Sequence, residues 1–355
     1  MLNKVLGHLG ITVGRAVAVA ALTVAAAIVT APAAHADTKY EMKIATVAPD
    51  NTAWATVLKE YKKNVEKASG GRIKIRIFLG GMLTDDENNS VRMLVRGQVE
   101  AIGASTGSVA TIVKELEAIE IPFLFKTSKE ADFVLDKYIK DEVKDLFRAN
   151  DMVFGFWSEN GFRHFAASWG PVLEPADLKN QKVRSQESFP HLEMWKALGA
   201  AAQAIPTGEV KTALKTGSVD GYDQSLLYSI AGSWHQHIKH LTLSAHIYQP
   251  AVIAFNKAWF DGLPTDLQKV LIDEGEALVR KGRKAIRDMN PKLLDIIKGE
   301  GVKVHTLTDA QRADFEKATA GVRDKVAARS DGHKKLVELI EKGLADYRSK
   351  GKKKK

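Results

Sequence analysis

The sequence predicts an α/β protein built in two lobes. Strand-like and helix-like periodicities alternate along its first part, which is the pattern of βαβ units. Its 355 residues exceed what one small core needs, and 45% of them are hydrophobic, an ordinary share for a chain that folds. Residues 42–47 read as an entering strand, followed by the turn Pro49-Asp50-Asn51. Trp54, Val57, Leu58, Tyr61, Val65 and Ala68 then recur at the spacing of one helix face, and Gly70-Gly71 ends that helix. Ile73, Ile75 and Ile77 alternate with Lys74 and Arg76, the period of a half-covered strand. Such a strand, helix and strand close with a right-handed crossover. A second helix over 90–96 and a strand over 99–104 complete an α/β first lobe.

Further along, LEAIEIPFLF at 116–125 reads as apolar packing that ends in a proline-directed turn. A helix over 128–148 with Ser128 as N-cap and a strand over 152–157 follow. Short strands end on Arg184 and span 202–205, a compact helix covers 208–216, and Asp220-Gly221 makes a turn. The segment 251–256 reads as a strand, and Leu263-Pro264-Thr265 opens a long helix through Leu267, Val270, Leu271, Leu278 and Ile286. Pro291 is expected to kink or break it. Thr308 and Gln311 form a capping-box signal for a last helical region.

Charge narrows the function. The net +9 comes from 52 basic and 43 acidic residues, but two bases lie in residues 1–36 and six in the closing YRSKGKKKK, neither with an acid. The body between holds 44 bases against 43 acids, so no basic face argues for nucleic acid. The absence of cysteine excludes disulfides and thiolate chemistry. At the N-terminus, Lys4 and Arg15 precede an uncharged run to Thr30, and Ala34-His35-Ala36 supplies the small residues of a cleavage site. Residues 1–36 are therefore expected to be a signal peptide cleaved before Asp37, with the mature protein in the periplasm. An uncleaved membrane anchor is the competing reading.

Two motifs invite chemistry. Gly103-Ala104-Ser105-Thr106-Gly107 matches the G-x-S-x-G elbow that exposes a nucleophilic serine, so a secreted serine hydrolase using Ser105 is one alternative. Small residues equally suit a turn at the carboxyl end of a strand, where open α/β sheets bind ligands. His235, His237 and His240 could suggest a metal, but His235 does not share a helix face with the other two and no H-E-x-x-H pattern is present. A solvated helix face accounts for them, and no metal is assigned.

Gly161-Phe162-Arg163, Pro175-Ala176-Asp177-Leu178-Lys179 leading to Lys182-Val183-Arg184, Leu198-Gly199-Ala200, and Glu209-Val210 followed by 213–221 (ALKTGSVDG) resemble, in order and spacing, the DctP-type solute-binding proteins of tripartite ATP-independent periplasmic (TRAP) transporters. The resemblance covers about residues 40–345. It implies a two-lobed periplasmic-binding-protein fold, each lobe a sheet flanked by helices, with a cleft between them and a long bracing helix. Lobe I would comprise 37–160 plus 248–290, lobe II 161–247 plus 291–345, and 346–355 a basic disordered tail. Gly161 lies at the crossing, where a hinge is expected.

Read alone, Arg163 and Arg184 are ordinary surface or ion-paired arginines. The resemblance makes Arg184 the clamp for a ligand carboxylate and Arg163 its support, a role suited to a planar, permanently charged guanidinium. It also implies ligand contacts from Gln224, Ser105, Trp54, Glu187 and Tyr248, of which Trp54 and Tyr248 read equally as core. Ser105 and Ser108 replace charged residues of sialic-acid-binding relatives, which argues against sialic acid. The function so implied is a monomeric, non-enzymatic protein that closes on a small organic anion and delivers it to TRAP membrane subunits, without ATP or a redox cofactor. A ligand-binding module for a sensor kinase and a binding protein of another transporter class are the remaining alternatives.

Overall fold

The computed structural model describes residues 40–352. The expected signal peptide and its cleavage site lie outside them. Nine strands are present among the described residues: β1 Tyr40–Ala45, β2 Ile73–Phe78, β3 Ala101–Ser105, β4 Met152–Ala167, β5 Lys182–Ser185, β6 Ala201–Ala204, β7 Gly221–Gln224, β8 His240–Asn256 and β9 Lys303–Thr306. They run in the order β2-β1-β3-β8-β4-β7-β5-β6, with β9 beside β8.

Two strands make the architecture. β4 and β8 are antiparallel and run the length of the sheet, from Met152 opposite Asn256 to Ala167 opposite His240. β3 pairs with the last part of β8, Ser105 opposite Ala251, which attaches β1 and β2 to that end. β7 pairs with the last part of β4, His164 opposite Gln224, which attaches β5 and β6 to the other. Each end is thus one lobe. The β4–β8 register shifts between Glu159 and Gly161 and again between Arg163 and Phe165, and Gly161 has φ +91°, which glycine adopts without a Cβ penalty.

The first helix, Ala53–Ala68, is capped by Thr52 and buries Leu58, Tyr61 and Val65. These pack with Met42, Ile44, Ile73 and Ile75 and with Leu267 and Leu271 of the helix Thr265–Gly299. A second core lies among Val91, Leu94, Leu116, Val134, Phe147, Trp157, Leu336 and Ile340, and a smaller one in the second lobe joins Phe165, Leu178, Val183, Trp195 and Phe315. The helix Thr265–Gly299 packs on Ala53–Ala68, on β4 and on Leu226–Ala231, so it braces both lobes. It continues through Pro291 rather than breaking there. Position 291 is on the exposed face, where solvent can take the carbonyl that proline leaves without a donor.

Other boundaries also move. Thr127, not Ser128, caps the helix at 128, and a wide turn at Leu135–Ile139 divides it into Ser128–Val134 and Lys140–Ala149. β4 and β8 are far longer than the expected strands, and β9 was not anticipated. The helix Asp331–Lys352 shares a core with Leu116, Ile119 and Val134, so its packing is with the first lobe, whereas residues to 345 were expected in the second. Its apolar residues Leu336, Val337, Ile340 and Leu344 explain the docking. The helix also carries residues 346–352, which were expected to be disordered.

Candidate ligand-binding cleft

β5 places Arg184 beside Tyr222 of β7, and the side chain is 1% exposed. Its Nε donates to the Ile205 carbonyl at 2.9 Å, and the guanidinium stands 5.4 Å over the Trp234 ring. Nη1 has no hydrogen-bond partner, and no ion pair to this guanidinium is present among the described residues. Burial, followed by the positive charge of Arg163, pulls its pKa down to about 9, so it remains protonated at neutral pH. A buried cation without a counter-charge is costly unless something supplies one.

Arg163, on β4, is the opposite case. Nε donates to Asp223 Oδ2 at 2.5 Å, Nη2 to the Asp223 carbonyl at 2.6 Å, and Nη1 to the side-chain oxygens of Gln186, Gln224 and Gln249 at 3.2, 3.0 and 3.0 Å. Both Arg163 and Asp223 are fully buried. Burial raises the Asp223 pKa, but the Arg163 charge and the His246 hydrogen bond outweigh it and hold the carboxyl well below its usual range. All three guanidinium nitrogens of Arg163 are committed, so it props the cleft floor.

That network continues across the lobes. Gln249 Nε2 donates to Glu120 Oε2 at 2.8 Å, Thr106 donates to Glu120 Oε1 at 2.5 Å, and His191 Nε2 meets Glu120 Oε2 at 2.7 Å. Burial raises the Glu120 pKa, but these hydrogen bonds and the His191 charge lower it more. Glu120 belongs to the first lobe and His191 to the second, so this polar layer bridges the cleft. Burial also drives His246 down to about 4, against the opposing pull of Asp223.

Ser105 caps the short helix Thr106–Val109 and is 2% exposed. Its hydroxyl donates to Glu87 Oε2 at 2.7 Å, its N–H to Glu87 Oε1 at 3.0 Å, and Ser108 donates to Glu87 Oε2 at 2.6 Å. Gln186 Nε2 reaches Ser105 Oγ from the other lobe at 3.4 Å. A hydroxyl bound to a carboxylate with no histidine partner among the described residues is not poised for attack, and the hydrolase alternative has no support. A Cβ on Gly107 would come within 2.4 Å of Gln186 Nε2 and 3.0 Å of Glu120, so glycine lets both side chains approach this turn.

The remaining expected contacts divide. Gln224 is in the cleft, its oxygen held by Arg163 and by the Ser225 N–H. Glu187 is at the mouth, accepting from Asn88 Nδ2 of the first lobe at 2.6 Å. Trp54 is 4% exposed, packs beside Gly103, and donates its indole N–H to the Glu159 carbonyl at 3.0 Å. Tyr248 donates to Glu159 Oε2 at 3.0 Å, which also pairs with Arg287 of the long helix. These two side chains therefore anchor β4 at Glu159, and their polar groups are already occupied. His235 and His240 have separate partners, Glu300 and His305.

Glu87, Glu120, Gln186, His191, Asp223 and Gln249 escaped the sequence reading. The one available signal was Asp223 beside Gln224; that its strand pairs with β4 is visible only in the structure.

Two lobes on shared strands, with a buried arginine whose Nη1 lacks a partner, suit a solute-binding protein. The chain belongs to the DctP family, the bacterial extracellular solute-binding proteins, family 7, whose model matches residues 44–330. It is a solute-binding protein of the TRAP-transporter type. It is 33% identical over 289 residues to a solute-binding protein of Verminephrobacter eiseniae, covering 81% of this chain and 85% of the relative. It is 29% identical over 271 residues to the 2,3-diketo-L-gulonate-binding periplasmic protein YiaO of Escherichia coli, covering 75% and 80%. The crystal structure of the sugar acid binding protein DctPAm from Advenella mimigardefordensis in complex with galactonate superposes with a TM-score of 0.80 at 27% identity, covering 85% of this chain and 98% of that one.

Proposed function

We propose that the protein captures a small organic acid in the periplasm, holds its carboxylate on Arg184 by closing the lobes about Gly161, and presents the closed form to TRAP membrane subunits. The observation that carries this reading is the buried Arg184 guanidinium with an unpartnered Nη1. A ligand carboxylate supplies the missing charge and acceptor, and the low-dielectric cleft strengthens that contact. Arg163 orients the site through Asp223, Gln186, Gln224 and Gln249 and does not itself need to touch the ligand. The sugar acids named for YiaO and DctPAm agree with a carboxylate clamp.

A monomeric binding unit that catalyses no reaction is part of this proposal. Among the described residues no helix is long and apolar enough to cross a membrane. The test is a thermal-shift screen of protein unfolded and refolded to remove any carried ligand. An organic acid at about 100 times its dissociation constant adds about 2.7 kcal/mol and raises the midpoint by several degrees. Stabilisation by neutral sugars or cations, with every acid silent, would overturn the proposal.

A further inference from the structure

Glu87 and Glu187 act on Arg184 through their charge, but neither is ion-paired to it. Glu87, on the helix Glu87–Val95 of the first lobe, is 7% exposed and accepts from Ser105 and Ser108, all neutral donors. Glu187, three residues beyond Arg184, reaches across the mouth to Asn88, the neighbour of Glu87. Asp85 closes on the opposite wall, where a Cβ on Gly208 would come within 2.7 Å of its carboxylate. Glu187 and Glu87 are both among the charges that act on Arg184, and burial together with Asp86 raises the Glu187 pKa.

We infer that Glu87 and Glu187 set the specificity of the cleft: it takes an acid with a single carboxylate and hydroxyl donors on the remainder of the molecule, and it rejects dicarboxylates. This rests on the carboxylate-clamp reading above. A ligand anchored on Arg184 extends from the second lobe towards a first-lobe wall that carries Glu87. Hydroxyl groups donate to carboxylate oxygens, in charge-assisted hydrogen bonds. A second ligand carboxylate has nothing to donate and meets like charge in a site largely closed to water. The buried arginine whose charge acts on Arg184, Arg163, is spent on Asp223 and three glutamines and cannot receive that second carboxylate. Glu87 acts from the wall and Glu187 from the rim, so their effects are separable.

Calorimetric titration of the protein purified from the periplasm and refolded free of ligand tests this. The two panels are four- to six-carbon aldonates and uronates, including galactonate, and four- to six-carbon dicarboxylates such as succinate. The expected result is that at least one hydroxylated monocarboxylate binds about 100-fold more tightly than any dicarboxylate, less than the roughly 10⁴-fold that unpaired buried polar groups can impose. In the double variant Glu87→Gln, Glu187→Gln, which keeps an acceptor oxygen at each position and removes the charge, that ratio should fall at least tenfold. Glu187→Gln alone, at the rim, serves as a second variant if the double one fails to fold, and should lower the ratio about threefold. Dicarboxylates binding as tightly as the hydroxylated acids, or a ratio unmoved in folded variants, would overturn the inference and leave the Arg184 clamp standing. Binding of no acid from either panel by folded wild-type protein would overturn the inference, and the clamp falls with it only if every acid of the thermal-shift screen is silent too.

Discussion

Two arginines of the same type, both buried, have opposite thermodynamic roles, and the difference is in their partners. Arg163 is tied to Asp223, so removing it leaves a carboxylate uncompensated in the core. Arg163→Met should cost about 3–5 kcal/mol in urea unfolding. Arg184 has one hydrogen bond and no counter-ion among the described residues, so Arg184→Met removes a desolvated charge and keeps the packing volume. The ligand-free variant should stay within about 1 kcal/mol of wild type. Equal losses in the two variants would mean that Arg184 is structural. The sequence reading selected both arginines through the resemblance, but it could not separate them. A guanidinium's partners come from β7, β8 and the segment after β5, and only the strand pairing shows that Asp223 lies beside Arg163.

At the scale of elements, the long helix and the two shared strands carry the architecture. Gly275 in the helix Thr265–Gly299 faces Phe156 of β4, and a Cβ there would come within 2.0 Å of the ring. Alanine improves helix propensity by about 1 kcal/mol, whereas forcing a methyl into a packed contact costs about 1–3 kcal/mol. Gly275→Ala should therefore be less stable, and a raised urea midpoint would show that the helix can shift on the strand. Local signals were legible where they were local: the helix Ala53–Ala68, the alternating β2 and the Thr308 capping box with Gln311 all appear. β4 and β8 were seen only in part, because a strand buried along most of its length loses the alternation that marks its ends. The placement of Asp331–Lys352 against the first lobe depends on contacts some two hundred residues apart, which no local pattern encodes.

For the whole molecule, closure and pH stability both depend on the buried polar layer that joins the lobes. His246 is 1% exposed, and burial holds its pKa at about 4. The unfolded chain binds a proton at His246 from about pH 6.5, and the folded protein does so only near its lowered value, so stability falls as pH drops through that window. The slope from this group is up to about 1.4 kcal/mol per pH unit. Below the usual aspartate range the depressed Asp223 adds a further loss in the same direction. Urea titrations from pH 7.5 to 4 on wild type and His246→Gln should show the slope reduced in the variant. An unchanged slope would place the titration elsewhere.

The most direct test of the central claim is calorimetric titration of refolded wild-type and Arg184→Met protein with the best acid from the screen. A carboxylate clamp predicts one site per chain in wild type and a loss of at least about 30-fold in the variant, with its circular dichroism unchanged. A folded variant that binds the acid within about threefold of wild type would contradict it, because no charge-assisted contact of that kind is removed at so small an effect.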